Sequence, residues 1–262
     1  MTIPDALAPI TADPGSSAVV TDFDGTLAPI VDDPARARAL PAALEALAAL
    51  VAPLALVAVV SGRPVTFLRA QVPVPGVELV GVYGLERLVG GEPVTDERAA
   101  PFVDAVVAAA REAERRWPRL SVERKGTVAF TVHWRVAPEA APAWPALEQL
   151  AGAHGLSLGA GRRSAELRVP VPVDKGGAMT TLLDERRVHV GVFAGDDAGD
   201  LPAFDALARR AVERPGFTSI RVAVDSDEAP PSLIEEADLV VGGPAGLAAL
   251  LGALTAGLRP RA

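Results

Sequence analysis

"VVTDFDGTLAPI", residues 19 to 30, sends an apolar strand straight into two carboxylates spaced one residue apart, followed at once by Gly-Thr. Crowding two ionised carboxylates is costly unless a cation or a proton separates their roles. The stretch predicts a buried strand whose tip carries chemistry, and it makes Asp22 and Asp24 the first candidate residues.

Outward from this stretch the apolar period alternates between strand-like and helix-like. "LPAALEALAALV" (40 to 51) reads as a helix, "LALVAVVSG" (54 to 62) as a strand, "RPVTFLRAQV" (63 to 72) as a helix start and "VELVGVYG" (77 to 84) as a third strand. The same grammar returns late: a helix over 176 to 187, a strand over 188 to 197, a helix over 200 to 210, a strand over 219 to 226 and another over 238 to 241. Strands apolar on both faces and alternating with helices predict a doubly wound parallel α/β sheet, covered on both sides.

Residues 99 to 172 break the pattern with two repeats of helix, strand, strand, the signature of an antiparallel sheet with helices on one face. The expected organisation is a core over 1 to 98 and 173 to 262, interrupted by an inserted α+β cap over 99 to 172. Trp117, Trp134 and Trp144 all fall in the insert and are expected to build its small core.

Composition narrows the function. A net charge of −8 argues against a sequence-independent grip on nucleic acid or on anionic lipid, both of which need basic surface. The absence of cysteine excludes disulfides, thiolate metal sites and cysteine nucleophiles, and fits a cytoplasmic protein. The N-terminus lacks the basic flank and long apolar run of a secretory signal. Two apolar stretches, 46 to 60 and 239 to 258, read as strand, turn and helix because Pro53 and Gly242-Gly243-Pro244 interrupt them. No membrane and no nucleic-acid partner is expected, and a monomer is slightly favoured. Among 25 basic residues only Lys125 and Lys175 are lysines, which suggests positions where a compact ammonium is not replaceable by a planar guanidinium.

In open parallel sheets, active sites gather beyond the carboxyl ends of the strands. Asp22 and Asp24, Ser61-Gly62-Arg63, and Asp196-Asp197 all fall at such ends, while Lys175 opens the helix that precedes the late strand. Carboxylates without cysteine partners suit a hard, oxygen-seeking cation such as Mg²⁺. Lysine, arginine and a serine at a helix start suit a phosphate. Together they predict metal-assisted phosphoryl transfer, with Asp22 attacking phosphorus and Asp24 protonating the departing oxygen before deprotonating the attacking water.

"DFDGTL" (22 to 27), "VVSGR" (59 to 63), Lys175 and "GDDAGD" (195 to 200) resemble, in order and context, the four motifs of the haloacid dehalogenase superfamily of phosphatases. Within it the chain most resembles the trehalose-6-phosphate phosphatase family. "TDFDGTLAPIVDDP" is similar to that family's extended first motif, "VERKGTVAFTVHWR" (122 to 135) to its cap strands and "AELRVPVPVDKGGAM" (165 to 179) to the run leading to its lysine. The resemblance implies a small-molecule sugar phosphate as substrate and phosphate binding by Ser61, Gly62, Arg63 and Lys175. It also implies Mg²⁺ at Asp22, Asp24, Asp196, Asp197 and Asp200, and sugar hydroxyls held by Glu123, Lys125, Arg135 and Glu166. The chain departs from the family at Tyr83, where histidine is usual, and at Gly199 and Leu201, where threonine and glutamate are usual. Sucrose 6-phosphate and mannosyl-3-phosphoglycerate are alternative substrates, and a non-catalytic sugar-phosphate-binding regulatory domain is the alternative class.

Overall fold

The computed structural model describes residues 5–161, 163–226 and 229–258. The chain divides into two units, one formed by residues 1–90 with 173–262 and the other by 91–172.

The first unit is built on β1 (Ser17–Thr21), β2 (Leu56–Val60), β3 (Glu78–Gly81), β4 (Glu86–Val89), β10 (Val190–Gly195), β11 (Thr218–Asp225) and β12 (Leu239–Gly242). They lie in the order β12-β11-β10-β1-β2-β3-β4. Every pairing from β12 to β3 is parallel, with Ala18 opposite both Gly191 and Leu56, and β4 turns back antiparallel on β3. Side chains alternate across a strand, so each strand serves two cores. Val19, Val57, Val59 and Val192 face helices α2 (Pro41–Val51), α3 (Val65–Gln71) and α9 (Gly243–Leu258) through Leu47, Leu68 and Leu251. Val20, Ala58, Val60 and Phe193 face the other way, onto Met179 and Leu183 of α6 (Lys175–Arg186), Phe204 and Leu207 of α7 (Leu201–Glu213) and Leu233 of α8 (Pro231–Glu236). A short helix α1 (Ala8–Ala12) adds Ile10 to the first core.

The strands are shorter than the apolar runs that predict them. The run 77 to 84 yields a strand only to Gly81, because Val82 and Tyr83 both turn to positive φ, 46° and 59°. The run 188 to 197 yields Val190–Gly195, and Asp196 and Asp197 lie between it and the helical turn Ala198–Asp200, which Asp197 caps. Among the described residues no helix is long and apolar enough to cross a membrane.

The second unit begins at Gly91, earlier than the expected residue 99, at a turn where Gly90 and Gly91 both take positive φ (59° and 88°). It contains β5 (Glu92–Thr95), α4 (Val103–Arg116), β6 (Ser121–Lys125), β7 (Ala129–His133), α5 (Trp144–Ala153), β8 (Ser157–Gly161) and β9 (Ser164–Arg168). Strands β6 to β9 form an antiparallel sheet in the order β6-β7-β9-β8. One face presents Phe130, Val132, Ala165 and Leu167, buried as are Ala109 and Ala113 of α4 and Leu147 and Leu150 of α5. The register places Glu123 opposite Thr131 and Thr131 opposite Glu166, so the opposite face carries Glu123, Lys125, Thr131, His133, Glu166 and Arg168. Trp144 does not build this core: it occupies the first turn of α5 and is 40 % exposed, while Trp117 and Trp134 are half-buried.

Candidate active site

Asp22 follows β1 directly and its backbone N–H donates to the Ala194 carbonyl at 2.8 Å, which ties it to the end of β10. Lys175 is the first residue of α6, whose N-terminus is capped by the Asp174 carboxylate accepting from Gly177 N–H at 2.7 Å. The Lys175 ammonium lies 2.9 Å from Asp22 Oδ1 and 2.6 Å from Asp200 Oδ1. All three side chains are buried. Burial by itself lowers a lysine pKa, but Asp200 and Asp22 beside this one reverse the sign and hold it protonated, well above its ordinary value. Burial pushes Asp22 well above the usual carboxylate range, with Lys175 opposing.

Asp196 stands at the tip of β10 and accepts from Thr26 Oγ at 3.1 Å and from Ser226 Oγ, at the tip of β11, at 3.0 Å. Desolvation, with Asp200 and Asp197 nearby, raises its pKa to about 7. Carboxylate oxygens of Asp22, Asp196 and Asp200 all lie within 4.8 Å of one another. Three buried carboxylates facing a single ammonium leave negative charge uncompensated, and their hard oxygen donors fit a hard divalent cation. This trio could hold a metal ion.

Two further members of the expected metal set, Asp197 and Asp24, have partners within the chain. Asp197 caps the turn Ala198–Asp200, its Oδ1 accepting from Gly199 N–H at 2.8 Å, while Asp200 Oδ2 accepts from the backbone of Asp196 and Asp197. Asp24 lies in the fork of Arg63, with Nε donating to Oδ2 at 2.6 Å and Nη2 to Oδ1 at 2.8 Å. The single residue between the two carboxylates of the opening stretch, Phe23, thus separates two differently paired groups: Asp22 with a lysine, Asp24 with an arginine.

Glycines keep these side chains close. Gly25 has a φ of 72°, and a Cβ there would fall 1.9 Å from Asp196 Oδ2. A Cβ at Gly195 would fall 2.2 Å from the Asp200 carboxyl carbon. At Gly62 it would fall 2.7 Å from the Tyr83 ring, so the departure at Tyr83 sits directly against the Ser61-Gly62-Arg63 loop. Tyr83 N–H donates to the Ser61 carbonyl at 3.0 Å and Val82 N–H to the Arg63 carbonyl at 3.0 Å, which fixes that loop to the turn after β3.

Thr26, Ser226 and Gly25 join the site without belonging to the expected set, while Glu86 ends the run "GVYGLE" (81 to 86), which resembles a Gly-x-His-Gly-x-Glu element of the family. Glu86 is buried and accepts from Val65 N–H at 2.9 Å, holding the start of α3, and burial raises its pKa. The Gly-Thr after the paired aspartates is the available signal for Gly25 and Thr26; a strand-end serine such as Ser226 carries none.

In the second unit, Glu123 is bonded to His133 Nε2 at 2.8 Å and Lys125 is paired with Glu166. Arg135 follows β7 and is half-buried. Glu123, Lys125 and Glu166 share one sheet face, as their register requires.

A doubly wound parallel sheet interrupted by a second unit is similar in fold to a solved phosphatase of the haloalkanoate (HAD) superfamily from Bacteroides thetaiotaomicron, with a TM-score of 0.59 at 16% identity over 92% of this chain and 95% of that one. A family model described as trehalose-phosphatase matches residues 20–232, and the chain belongs to that family. It is 34% identical over 229 residues to a trehalose-phosphate phosphatase of Mycobacterium bovis, covering 80% of this chain and 57% of the relative, so it spans little more than half that protein's length. Among solved structures it is similar to the C-terminal domain of Candida albicans trehalose-6-phosphate phosphatase, with a TM-score of 0.72 at 22% identity over 97% of this chain and 98% of that one. It is also similar in fold to the C-terminal domain of a Candida albicans trehalose synthase regulatory protein, with a TM-score of 0.65 at 12% identity over 97% and 99%.

Proposed function

We propose that the chain is a Mg²⁺-dependent phosphatase that hydrolyses trehalose 6-phosphate to trehalose and phosphate. The observation that carries the reading is the buried ion pair of Asp22 with Lys175 beside Asp196 and Asp200, at the tips of β1 and β10. An ammonium held charged beside a strand-end carboxylate supplies what attack on a phosphate dianion requires: a fixed nucleophile and a cation for the phosphoryl oxygens. Mg²⁺ held by Asp22, Asp196 and Asp200 would supply further neutralisation of those oxygens.

In this mechanism a carboxylate oxygen of Asp22 bonds to phosphorus as the ester P–O bond breaks, and Asp24 gives its proton to the departing sugar oxygen. Asp24 then takes a proton from water as that water attacks phosphorus and releases phosphate from Asp22. Lys175, Ser61 and Gly62 are assigned to the phosphate. Glu123, Lys125, Arg135 and Glu166 are assigned to the sugar hydroxyls. A cytoplasmic location accompanies this reading.

Likeness to a regulatory domain gives the alternative, a sugar-phosphate-binding module without turnover, some substance. The test is phosphate release from trehalose 6-phosphate, sucrose 6-phosphate, glucose 6-phosphate and mannosyl-3-phosphoglycerate, each with and without Mg²⁺. Metal-dependent release biased to trehalose 6-phosphate is the expected result. Release from another ester keeps the chemistry and discards the sugar assignment, and no release from any of them favours the binding module.

A further inference from the structure

Arg63 is mounted as few surface arginines are. It is 8 % exposed, its guanidinium carbon lies 4.6 Å from the centre of the Phe67 ring one turn into α3, and Phe67 in turn meets Phe23 edge-on at 5.6 Å. Phe23 is the residue between Asp22 and Asp24. The chain exit from β1 and the start of α3 are therefore locked together by two rings and a guanidinium. On that mount the Nε–Nη2 edge of Arg63 grips both oxygens of Asp24, at 2.6 and 2.8 Å. A planar fork on a carboxylate fixes direction as well as distance, which an ammonium cannot do.

We propose that Arg63 is a positioning residue for Asp24, and that its contribution to turnover passes through proton transfer to the leaving oxygen rather than through a grip on the phosphate. The inference rests on the phosphatase reading given above. The two aspartates divide the labour because each has its own cation on a different element: Lys175 at the start of α6 for Asp22, Arg63 at the start of α3 for Asp24. Asp22 forms the bond to phosphorus; Asp24, protonated on one oxygen and held through the other by Arg63, delivers that proton so that the sugar oxygen departs as an alcohol. No other reactant is needed beyond water.

A residue that acts on the acid matters in proportion to how badly the leaving group needs a proton. A sugar alkoxide needs it, and para-nitrophenolate scarcely does. The experiment is the rate of the first phosphoryl transfer, read as single-turnover release of the alcohol, for wild type, Arg63→Ala, Arg63→Lys, Asp24→Asn and the double variant Asp24→Asn/Arg63→Ala on a sugar phosphate and on para-nitrophenyl phosphate. The expected result is a loss in that transfer rate about 10²-fold larger on the sugar ester than on the aryl ester for both Arg63 variants. Removing Arg63 in the Asp24→Asn background is expected to cost less than tenfold further, since the carboxylate it aims is already disabled.

Circular dichroism and thermal melting report that each variant is folded, and Arg63→Lys, which keeps the charge but not the fork, separates aim from charge. Equal losses on the two esters, or a loss confined to KM, would overturn the inference and return Arg63 to the phosphate. A wild type inactive on both esters would instead bring down the phosphatase reading, and the inference with it.

Discussion

The two units hold their charged groups in opposite ways. In the first, Asp22, Lys175, Asp196 and Asp200 are each exposed by 3 % or less, locked by backbone donors and by glycines that leave no room for a Cβ. In the second, the pairs Glu123–His133 and Lys125–Glu166 lie diagonally across strands on one sheet face, and their side chains keep between 12 and 28 % of their exposure. Ions fully removed from water are expensive and persist only with firm partners. Cross-strand pairs at a half-open face contribute little stability and leave their polar atoms within reach of a ligand. The difference teaches that the first unit buries its charges among fixed partners, while the second holds its pairs at a partly open face.

The contrast can be broken at its strongest point. Asp22→Asn keeps the shape of the side chain and removes the nucleophile, so turnover is expected to fall at least about 10³-fold while thermal melting and ligand binding stay close to wild type. Phosphate release together with calorimetry checks both halves, and residual activity near wild type would remove Asp22 from its role. Gly25→Ala attacks the same buried charges from the backbone. Its φ of 72° strains any side chain, and the added Cβ meets the Asp196 carboxylate at 1.9 Å. Destabilisation of about 1–3 kcal/mol is expected in urea unfolding, with a loss of metal-dependent activity as Asp196 is displaced.

The buried carboxylates also predict how stability follows pH. Asp196 has its pKa raised to about 7 from a model-compound value of 3.8, so the folded chain binds a proton here that the unfolded chain releases. A group raised in this way contributes stability that is full below its unfolded pKa and is lost as pH rises through the folded one. Metal-free protein should therefore lose stability between pH ~4 and pH ~7, by about 4 kcal/mol as an upper bound from this residue. Asp22 and Asp200, raised by burial as well, act in the same direction, and Lys175, raised above its ordinary value, is lost only at far more alkaline pH. Melting in chelator from pH 5 to pH 8, repeated with Mg²⁺, checks the sign: the fall should be present without the cation and reduced with it.

How much of this was legible in the sequence depends on the distance over which each feature is decided. Strands apolar on both faces announce a covered parallel sheet, because each strand must serve two cores, and Val19 and Val20 do so in successive positions. The carboxylates at the strand tips were readable for the same reason: ionised groups ending an apolar run have few bland explanations. Gly25 and Gly195 were not readable as necessities, since each is required by a carboxylate that only the fold brings near, and Thr26 meets Asp196 across 170 positions of chain. The partner of Asp24 is likewise decided in three dimensions. Motif spacing assigns Arg63 to phosphate and Asp24 to metal, and neither assignment conveys that the two side chains grip each other. Trp144 shows the opposite failure, in which residue type suggests burial but a place at the first turn of α5 leaves the ring 40 % exposed.

The smallest expected effect sharpens the comparison from the side of the second unit. Glu166→Gln keeps the shape of a residue that pairs with Lys125 and removes only its charge. With the pair at the surface of a sheet rather than in a core, the stability change should stay within about 1 kcal/mol. If the polar sheet face recognises sugar hydroxyls, KM for trehalose 6-phosphate should rise several-fold more than KM for para-nitrophenyl phosphate, with kcat on the aryl ester moving least. Loss of kcat on both esters alike would place Glu166 with the buried groups of the first unit in its effect. The division between a unit that makes bonds and a unit that selects the sugar would then fail at that residue. A change of melting temperature without any change in KM would instead make the Lys125–Glu166 pair a cross-strand brace, and sugar selection would have to reside in Glu123, Arg135 or residues of the first unit such as Tyr83.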